Sequence, residues 1–182
     1  MGLRRVRKSH SALGGAPETK YDKILNISNP TGQNSMTTRV DFYVLPDNYP
    51  QPPLVYASRL IEKVYNLGHT LYVHLENEAD TLYLDEQLWK ISPDSFIPHA
   101  LTTKTTGNTP ILLGFQQAPT QPANVLVNLS GKIPSFFSHF ERVAEIVPGN
   151  RTMRDKSREN YRLYKEKGCS VNTHNIKITP QQ

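Results

Sequence analysis

Short apolar runs alternate with amphipathic stretches along most of this chain, and that alternation narrows the possible folds more than any other feature. Apolar runs bounded by Pro, Gly or Asn are typical of β-strands. We predict strands at residues 39–45, 70–75, 111–115, 125–129 and 142–147, a short extended piece at 96–99 and an edge strand at 171–178. Strands that alternate with helices favour a parallel or mixed sheet that is covered on both faces. The prediction is an α/β fold, a three-layer sandwich with a mostly parallel central sheet and helices on both faces.

Three helices are predicted between these strands, at residues 54–67, 78–89 and 151–167, and a short one at 134–139. In the first helix the apolar residues recur at spacings of three and four, which places them on one face. Asn150 is a residue type that caps helix N-termini, and Gly168 is one that ends helices in a left-handed conformation. The third helix is therefore predicted to have well-defined ends.

The chain carries none of the local motifs that signal nucleotide or metal chemistry. It contains neither G-x-x-x-x-G-K-[ST] nor G-x-G-x-x-G, and its six histidines form no H-x-x-x-H or H-E-x-x-H spacing. The single cysteine, Cys169, excludes an internal disulfide and suits a reducing cytoplasm. No apolar run approaches the roughly 18 residues that span a membrane. We predict no catalytic residues, no cofactor, no metal and no membrane partner.

Most of the positive charge lies in two segments. Residues 1–35 hold six basic and two acidic residues, a net charge of +4, and residues 151–168 hold seven basic and three acidic residues, also +4. Because the whole chain carries +5, the remaining residues carry −3. Residues 1–35 are rich in Gly, Ser, Asn, Pro and Thr, which predicts a disordered basic extension, such as a tag or a start placed upstream of Met36. Residues 36–182 are predicted to be the folded domain.

One face of the helix predicted at 151–167 is cationic and contains an aromatic ring. At about 100° per residue, a face roughly 100° wide holds Arg154, Arg158, Tyr161, Arg162 and Lys165. We call these five residues the cationic stripe. The acidic residues of the helix lie beside the stripe and not within it. The stripe therefore suits an anionic partner that also carries an apolar group.

Three apolar residues are candidates for the other half of such a site: Trp89, Phe96 and Val147. Trp89 ends the second predicted helix, and Val147 directly precedes the segment that leads into the basic helix. Together with the stripe they would form an apolar pocket with a cationic rim, which suits an acidic peptide that ends in an apolar residue. Taken singly, Trp89 and Phe96 are more typical of an ordinary core, and the stripe is more typical of a solvated helix face.

Two other classes of function stay open at this point. One is direct binding of single-stranded nucleic acid through the basic helix. Against it, residues 36–182 carry a net charge of only +1, and their aromatic residues form no repeated stacking platform. The other class is a small α/β enzyme, for which the sequence offers no phosphate loop, metal set or activated nucleophile.

Three separated motifs resemble the chi subunit family of bacterial DNA polymerase III. The first is DFY with a following leucine, at residues 41–45. The second is LDEQLW at 84–89 with FIPH at 96–99. The third is Val147-Pro148 with RENYRLY at 158–164, followed by Gly168 and Asn172-Thr173. The resemblance runs from about residue 39 to residue 172 with the right order and spacing, which predicts a chi-like domain at 36–182.

The resemblance implies an adaptor and not a catalyst. Chi pairs with the psi subunit, which tethers it to the clamp-loader complex, and it binds the acidic C-terminal tail of single-stranded DNA-binding protein, which ends in Pro-Phe. The residues here that match the family's tail contact are Trp89, Phe96, Val147, Arg154, Arg158, Tyr161 and Arg162. DNA would then be reached mainly through the protein whose tail is bound, in the cytoplasm, at the replisome on the nucleoid.

Overall fold

Seven strands form one sheet in the computed structural model, which describes residues 37–91, 96–104 and 107–178. The strands are β1 (Arg39–Val44), β2 (Leu71–Leu75), β3 (His99–Leu101), β4 (Ile111–Phe115), β5 (Val125–Asn128), β6 (Arg142–Val147) and β7 (Ser170–Asn175). The helices are α1 (Pro53–Asn66), α2 (Glu78–Lys90) and α3 (Arg151–Glu166), with a 3₁₀ turn at Phe137–His139. The extension predicted at residues 1–35 lies outside the described residues.

The strand order is β3-β4-β2-β5-β6-β1-β7, and every neighbouring pair is parallel. Helices α1 and α2 pack on one face of the sheet, while α3 and the 3₁₀ turn pack on the other. Parallel strands joined by helical crossovers produce this arrangement because each helix must bury its apolar stripe against the sheet. The predicted α/β fold, with helices on both faces of the central sheet, is confirmed.

Alternate residues of the strands pack into two separate apolar cores, one on each face of the sheet. The core under α1 and α2 contains Leu60 and Ile61 of α1 and Leu84 of α2, all fully buried. The core under α3 contains Phe42 of β1 and Tyr164 of α3. Successive side chains of a strand point to opposite faces, so one strand contributes to both cores. The central strands are accordingly apolar on both faces, as expected for a covered parallel sheet.

The helix ends follow local sequence signals. The Asn77 side chain accepts a hydrogen bond from the backbone of Asp80 at the start of α2, and the Asn150 side chain accepts one from Met153 at the start of α3. Such caps satisfy backbone N–H groups that have no partner within the helix. Gly168 has a φ of +80° just after α3, so the predicted ends of this helix are confirmed. Within the described ranges, no helix is long and apolar enough to cross a membrane.

A buried carboxylate ties the edge strand β7 to β1 and β6. Asp41 of β1 is fully buried and lies 2.7 Å from the Arg142 Nε atom, 3.0 Å from the Arg39 Nε atom and 2.9 Å from the His174 Nε2 atom. Burial alone would raise the pKa of Asp41, but Arg142, His174 and Arg39 together hold it below its usual value. Because His174 belongs to β7, this cluster fixes the strand that borders the site described below.

Two short elements differ from the sequence prediction. The extended piece predicted at 96–99 is a strand at His99–Leu101, where Ala100 pairs with Leu112 of β4. Its position is set by the ladder with β4 and not by local propensity. The short helix predicted at 134–139 is the single 3₁₀ turn, in which the Phe137 backbone N–H donates to the Pro134 carbonyl. Contacts distant in sequence decided the first difference and tight turn geometry the second.

Candidate functional site

A groove opens between the first three turns of α3 and the ends of strands β1, β6 and β7. It encloses about 330 Å³. Its lining residues are Phe42, Val44, Val147, Arg154, Ser157, Arg158, Tyr161, Thr173 and Asn175. These residues give the groove an apolar floor from the sheet, a cationic wall from α3 and a polar border from the edge strand.

The floor of the groove follows from strand register. Val44 of β1 is paired with Val147 of β6 on one side and with Asn175 of β7 on the other. Phe42 lies two residues before Val44, on the same face of the sheet. Two neighbouring strands, β1 and β6, therefore bring apolar side chains about 100 positions apart in sequence to one surface, and β7 adds polar side chains beside them.

The wall of the groove is anchored by aromatic rings of α3. The Phe42 ring lies 5.6 Å from the Tyr161 ring and 6.1 Å from the buried Tyr164 ring. The Tyr164 hydroxyl donates a 2.7 Å hydrogen bond to the Oε1 atom of Glu145 on β6. Ring packing and this buried hydrogen bond fix the rotation of α3 on the sheet, so that Arg154, Arg158 and Tyr161 of the cationic stripe line the groove.

Glu145 is a buried carboxyl group beneath the helix. It accepts a 2.7 Å hydrogen bond from Asn128 in addition to the one from Tyr164. Burial raises the pKa of Glu145 to about 7, although both hydrogen bonds act in the opposite direction. The ionisation of this group therefore changes near neutral pH, directly under the wall of the groove.

Arg154 crosses from α3 to the loop that follows β1. Its Nη2 atom lies 2.7 Å from the Asp47 Oδ1 atom and donates a 3.3 Å hydrogen bond to the Leu45 carbonyl. The Arg154 side chain is 35 % exposed, while that of Asp47 is 75 % exposed. Arg154 thus presents a partly buried charge at the mouth of the groove, already paired with a carboxylate.

The other cations of the stripe are more exposed. Arg158 is 77 % exposed and contacts Asp155 at 2.7 Å, and Arg162 contacts Glu166 at 3.5 Å. The Lys165 Nζ atom lies 5.0 Å from the centre of the Tyr161 ring, a cation–π arrangement. Arg162 and Lys165 belong to the same face of α3 but lie beyond the residues that line the groove.

Trp89 and Phe96 pack against each other, but they do not line the groove. Their rings lie 5.5 Å apart, and Trp89 also lies 4.7 Å from the His99 ring. Trp89 is 55 % exposed, Phe96 is 70 % exposed, and Leu82, two turns before Trp89 on α2, is exposed as well. We call Trp89 and Phe96, whose rings pack against each other, the aromatic patch. These side chains are not the ordinary core residues that the alternative interpretation allowed.

The aromatic patch and the groove lie on opposite faces and toward opposite edges of the sheet. The patch belongs to α2 and the segment before β3, on the face that carries α1. The groove lies on the α3 face, at β1 and β7. Strand β3 is five positions from β1 in the sheet, which corresponds to about 24 Å at a strand spacing of about 4.8 Å. The structure brings Val147, Arg154, Arg158 and Tyr161 together but does not place Trp89 and Phe96 with them.

Sequence reasoning did not identify five of the lining residues: Phe42, Val44, Ser157, Thr173 and Asn175. Phe42 and Val44 had a usable signal, because every second residue of β1 must face α3 if this helix covers that side of the sheet. The residues of β7 had none, since the sequence does not state which strand lies beside β1. Register and strand order supplied these positions.

The lining residues set the chemical character of the groove. Its lining residues include no His, Cys, Asp or Glu that could transfer a proton. Across residues 37–91, 96–104 and 107–178, no three His, Cys, Asp or Glu side chains are grouped so that they could hold a metal ion. The apolar floor can accept a ring or an aliphatic chain, while the guanidinium groups can accept carboxylates.

Comparison with known proteins gives one consistent answer. A family described as "DNA polymerase III chi subunit, HolC" matches residues 36–172. The DNA polymerase III subunit chi of Pseudomonas aeruginosa is 37 % identical over 139 residues, which cover 76 % of this chain and 97 % of the relative. The subunit chi of Haemophilus influenzae is 29 % identical over 78 % of this chain and 99 % of its own length. That of Escherichia coli is 25 % identical, over 72 % and 94 %.

Proposed function

The chain belongs to the family of DNA polymerase III chi subunits, and from this membership we propose that it is a non-catalytic adaptor of the replisome. In this role it binds the acidic C-terminal tail of single-stranded DNA-binding protein and links that protein to the clamp loader through the psi subunit. It acts in the cytoplasm, at the replisome on the nucleoid. The observation that carries the proposal is the groove, which combines an apolar floor with a cationic wall.

The groove suits a tail that is acidic and ends in Pro-Phe. The terminal ring would pack on Phe42, Val44 and Val147, which form an apolar surface beside the Tyr161 ring. The carboxylates of the tail would meet Arg154 and Arg158 on α3. Arg162 and Lys165 extend the positive potential along the helix and would act on the more distant acids of the tail. Because most of these charges are exposed, the affinity should be modest and should fall with salt.

The aromatic patch is better assigned to the second partner. An exposed tryptophan packed against an exposed phenylalanine is the kind of surface that often dominates protein–protein interfaces. Its separation from the groove would allow psi and the tail to bind at the same time, as a linking subunit requires. We therefore propose that psi docks on the aromatic patch and that Trp89 and Phe96 are not part of the tail site.

Removal of the tail is the first test. We expect this protein to retain full-length single-stranded DNA-binding protein in a pull-down and to lose it when the last residues of that protein are deleted. Bare single-stranded oligonucleotide serves as a parallel probe. Retention of the truncated protein would exclude the groove mechanism, and steep salt-dependent binding of the oligonucleotide alone would favour the alternative, direct nucleic-acid binding.

A substitution at Trp89 separates the two surfaces. We expect Trp89→Ala to weaken the complex with psi by about 2 kcal/mol or more, the scale of an exposed aromatic at the centre of an interface. The same variant should leave the affinity for the tail peptide unchanged, because Trp89 lies on the opposite face from the groove. Calorimetric titration of each partner measures both. A loss of tail affinity with psi binding intact would return Trp89 to the tail site.

A further inference from the structure

Both arginines that line the groove are paired with carboxylates of the same chain. The Arg154 Nη2 atom lies 2.7 Å from the Asp47 carboxylate, and the Arg158 Nη1 atom lies 2.7 Å from the Asp155 carboxylate. Two positive charges of the groove are therefore matched by two negative charges of the same chain. A ligand carboxylate that reaches either arginine must share or replace an ion pair that already exists.

The two ion pairs differ in how they are held. Arg158 and Asp155 lie three residues apart on one exposed helix face, a pairing that arises on most charged helices and contributes little. Asp47 lies in the loop that follows β1, whereas Arg154 lies in α3, 107 positions later in the chain. Arg154 also donates to the Leu45 carbonyl, which places its guanidinium group directly over the loop that carries Asp47.

Close backbone packing fixes Asp47 in that place. A Cβ atom at Gly149, in the loop before α3, would lie 2.4 Å from the Pro46 carbonyl oxygen and 2.7 Å from the Asp47 Cα atom. Only glycine lets the two loops approach this closely. The Tyr49 backbone N–H donates to the Pro46 carbonyl and closes the turn that contains Asp47. The fold thus holds the backbone at Asp47 close to the start of α3, within reach of the Arg154 guanidinium group.

We propose that Asp47 is an internal competitor for the ligand's carboxylate at Arg154 and that it lowers the affinity of the groove. The proposal rests on the proposed function of the groove as an acidic-tail site. When a tail carboxylate arrives, it replaces Asp47 at the guanidinium group, and Asp47, already largely exposed, returns to water. Because one ion pair is exchanged for another, Arg154 adds less to binding than an unpaired arginine would. The internal pair also keeps the empty groove close to neutral, which reduces attraction of other polyanions.

The test is titration of the full-length protein with a synthetic acidic peptide that ends in Pro-Phe. We expect Asp47→Asn to bind it about two- to fivefold more tightly, the fold-change that corresponds to removing one exposed ion pair. Glu86→Gln is the matched control, since it makes the same change in net charge on α2, away from the groove, and should leave the dissociation constant unchanged. Asp155→Asn should raise the affinity for the peptide by less than Asp47→Asn does.

A double variant tests whether Asp47 acts through Arg154. In an Arg154→Gln protein, Asp47→Asn should no longer change the affinity, because the competed group is absent. An unchanged or weaker affinity of the single Asp47→Asn variant would overturn the proposal, and a weaker one would mean that Asp47 positions Arg154 for the ligand. If neither the wild type nor Asp47→Asn binds the peptide, the proposed function of the groove fails, and this inference fails with it.

Discussion

Replacing Arg158 with alanine is expected to weaken binding of the acidic tail peptide by about 1–3 kcal/mol, the range for a lost charge-assisted contact. Arg158 lines the groove one turn after Arg154. Its side chain pairs with Asp155, which lies on the same helix and is itself exposed. The guanidinium group can therefore turn to a ligand at little cost, which makes Arg158 the most accessible cation of the site. Calorimetric titration at low ionic strength measures the loss.

Arg162→Ala is the matched control for this substitution. It removes the same charge from the same helix, but Arg162 lies one turn further on, outside the lining of the groove. Its effect should be smaller and should disappear first as salt is raised, because it acts on the ligand only at a distance. Equal losses for the two variants would mean that the helix attracts the tail only through its general charge. An unchanged affinity of Arg158→Ala would remove Arg158 from the site.

Replacing Glu145 with glutamine is expected to stabilise the protein at pH 8 by about 1–3 kcal/mol. At that pH the buried wild-type carboxyl group is ionised, because its pKa is about 7, and its hydrogen-bond donors, Asn128 and Tyr164, are neutral groups. A glutamine carbonyl can accept the same hydrogen bonds from Asn128 and Tyr164 without carrying charge. Chemical denaturation of both proteins at several pH values measures the difference.

The direction of the pH dependence follows from where the proton is held. The folded protein binds a proton at Glu145 up to about pH 7, while the unfolded chain releases it near the ordinary value of 4.5. This group therefore favours the folded state at low pH, and that contribution is lost as pH rises through the folded pKa. The advantage of Glu145→Gln should grow from about pH 4.5 to pH 8. Glu159→Gln, an exposed change on α3, should show no such growth, and a pH-independent difference for Glu145→Gln would contradict a raised pKa.

The longer elements of the fold could be predicted from the sequence because each has a local cause. The apolar run at 111–115 became β4 with the predicted bounds, and Asn150 caps α3 as its side chain type indicates. Strand β3 was misplaced because three residues carry too little local preference, and their pairing with β4 decided the bounds. Propensity and periodicity act over a few residues, so they define long elements better than short ones.

The cationic stripe was predicted correctly as a helix face, but its electrostatic state was not. Counting residues placed the acids beside the stripe, whereas in the folded protein Asp155 and Glu166 turn toward Arg158 and Arg162. Asp47, from a distant loop, pairs with Arg154. Side chains of arginine and the acids are long enough to cross the border between helix faces, so a helical projection does not determine which charges are paired.

The sequence by itself determined the longer strands, the three α-helices, the cationic stripe and the family, since each depends on neighbouring residues or on motifs in chain order. The tertiary structure alone decided which residues share a surface. It placed Phe42 and Val44 under α3, and it put Trp89 and Phe96 near the opposite edge of the sheet from Val147. Strand order and register cause this separation, and they are set by contacts among residues far apart in the chain, which no local pattern records.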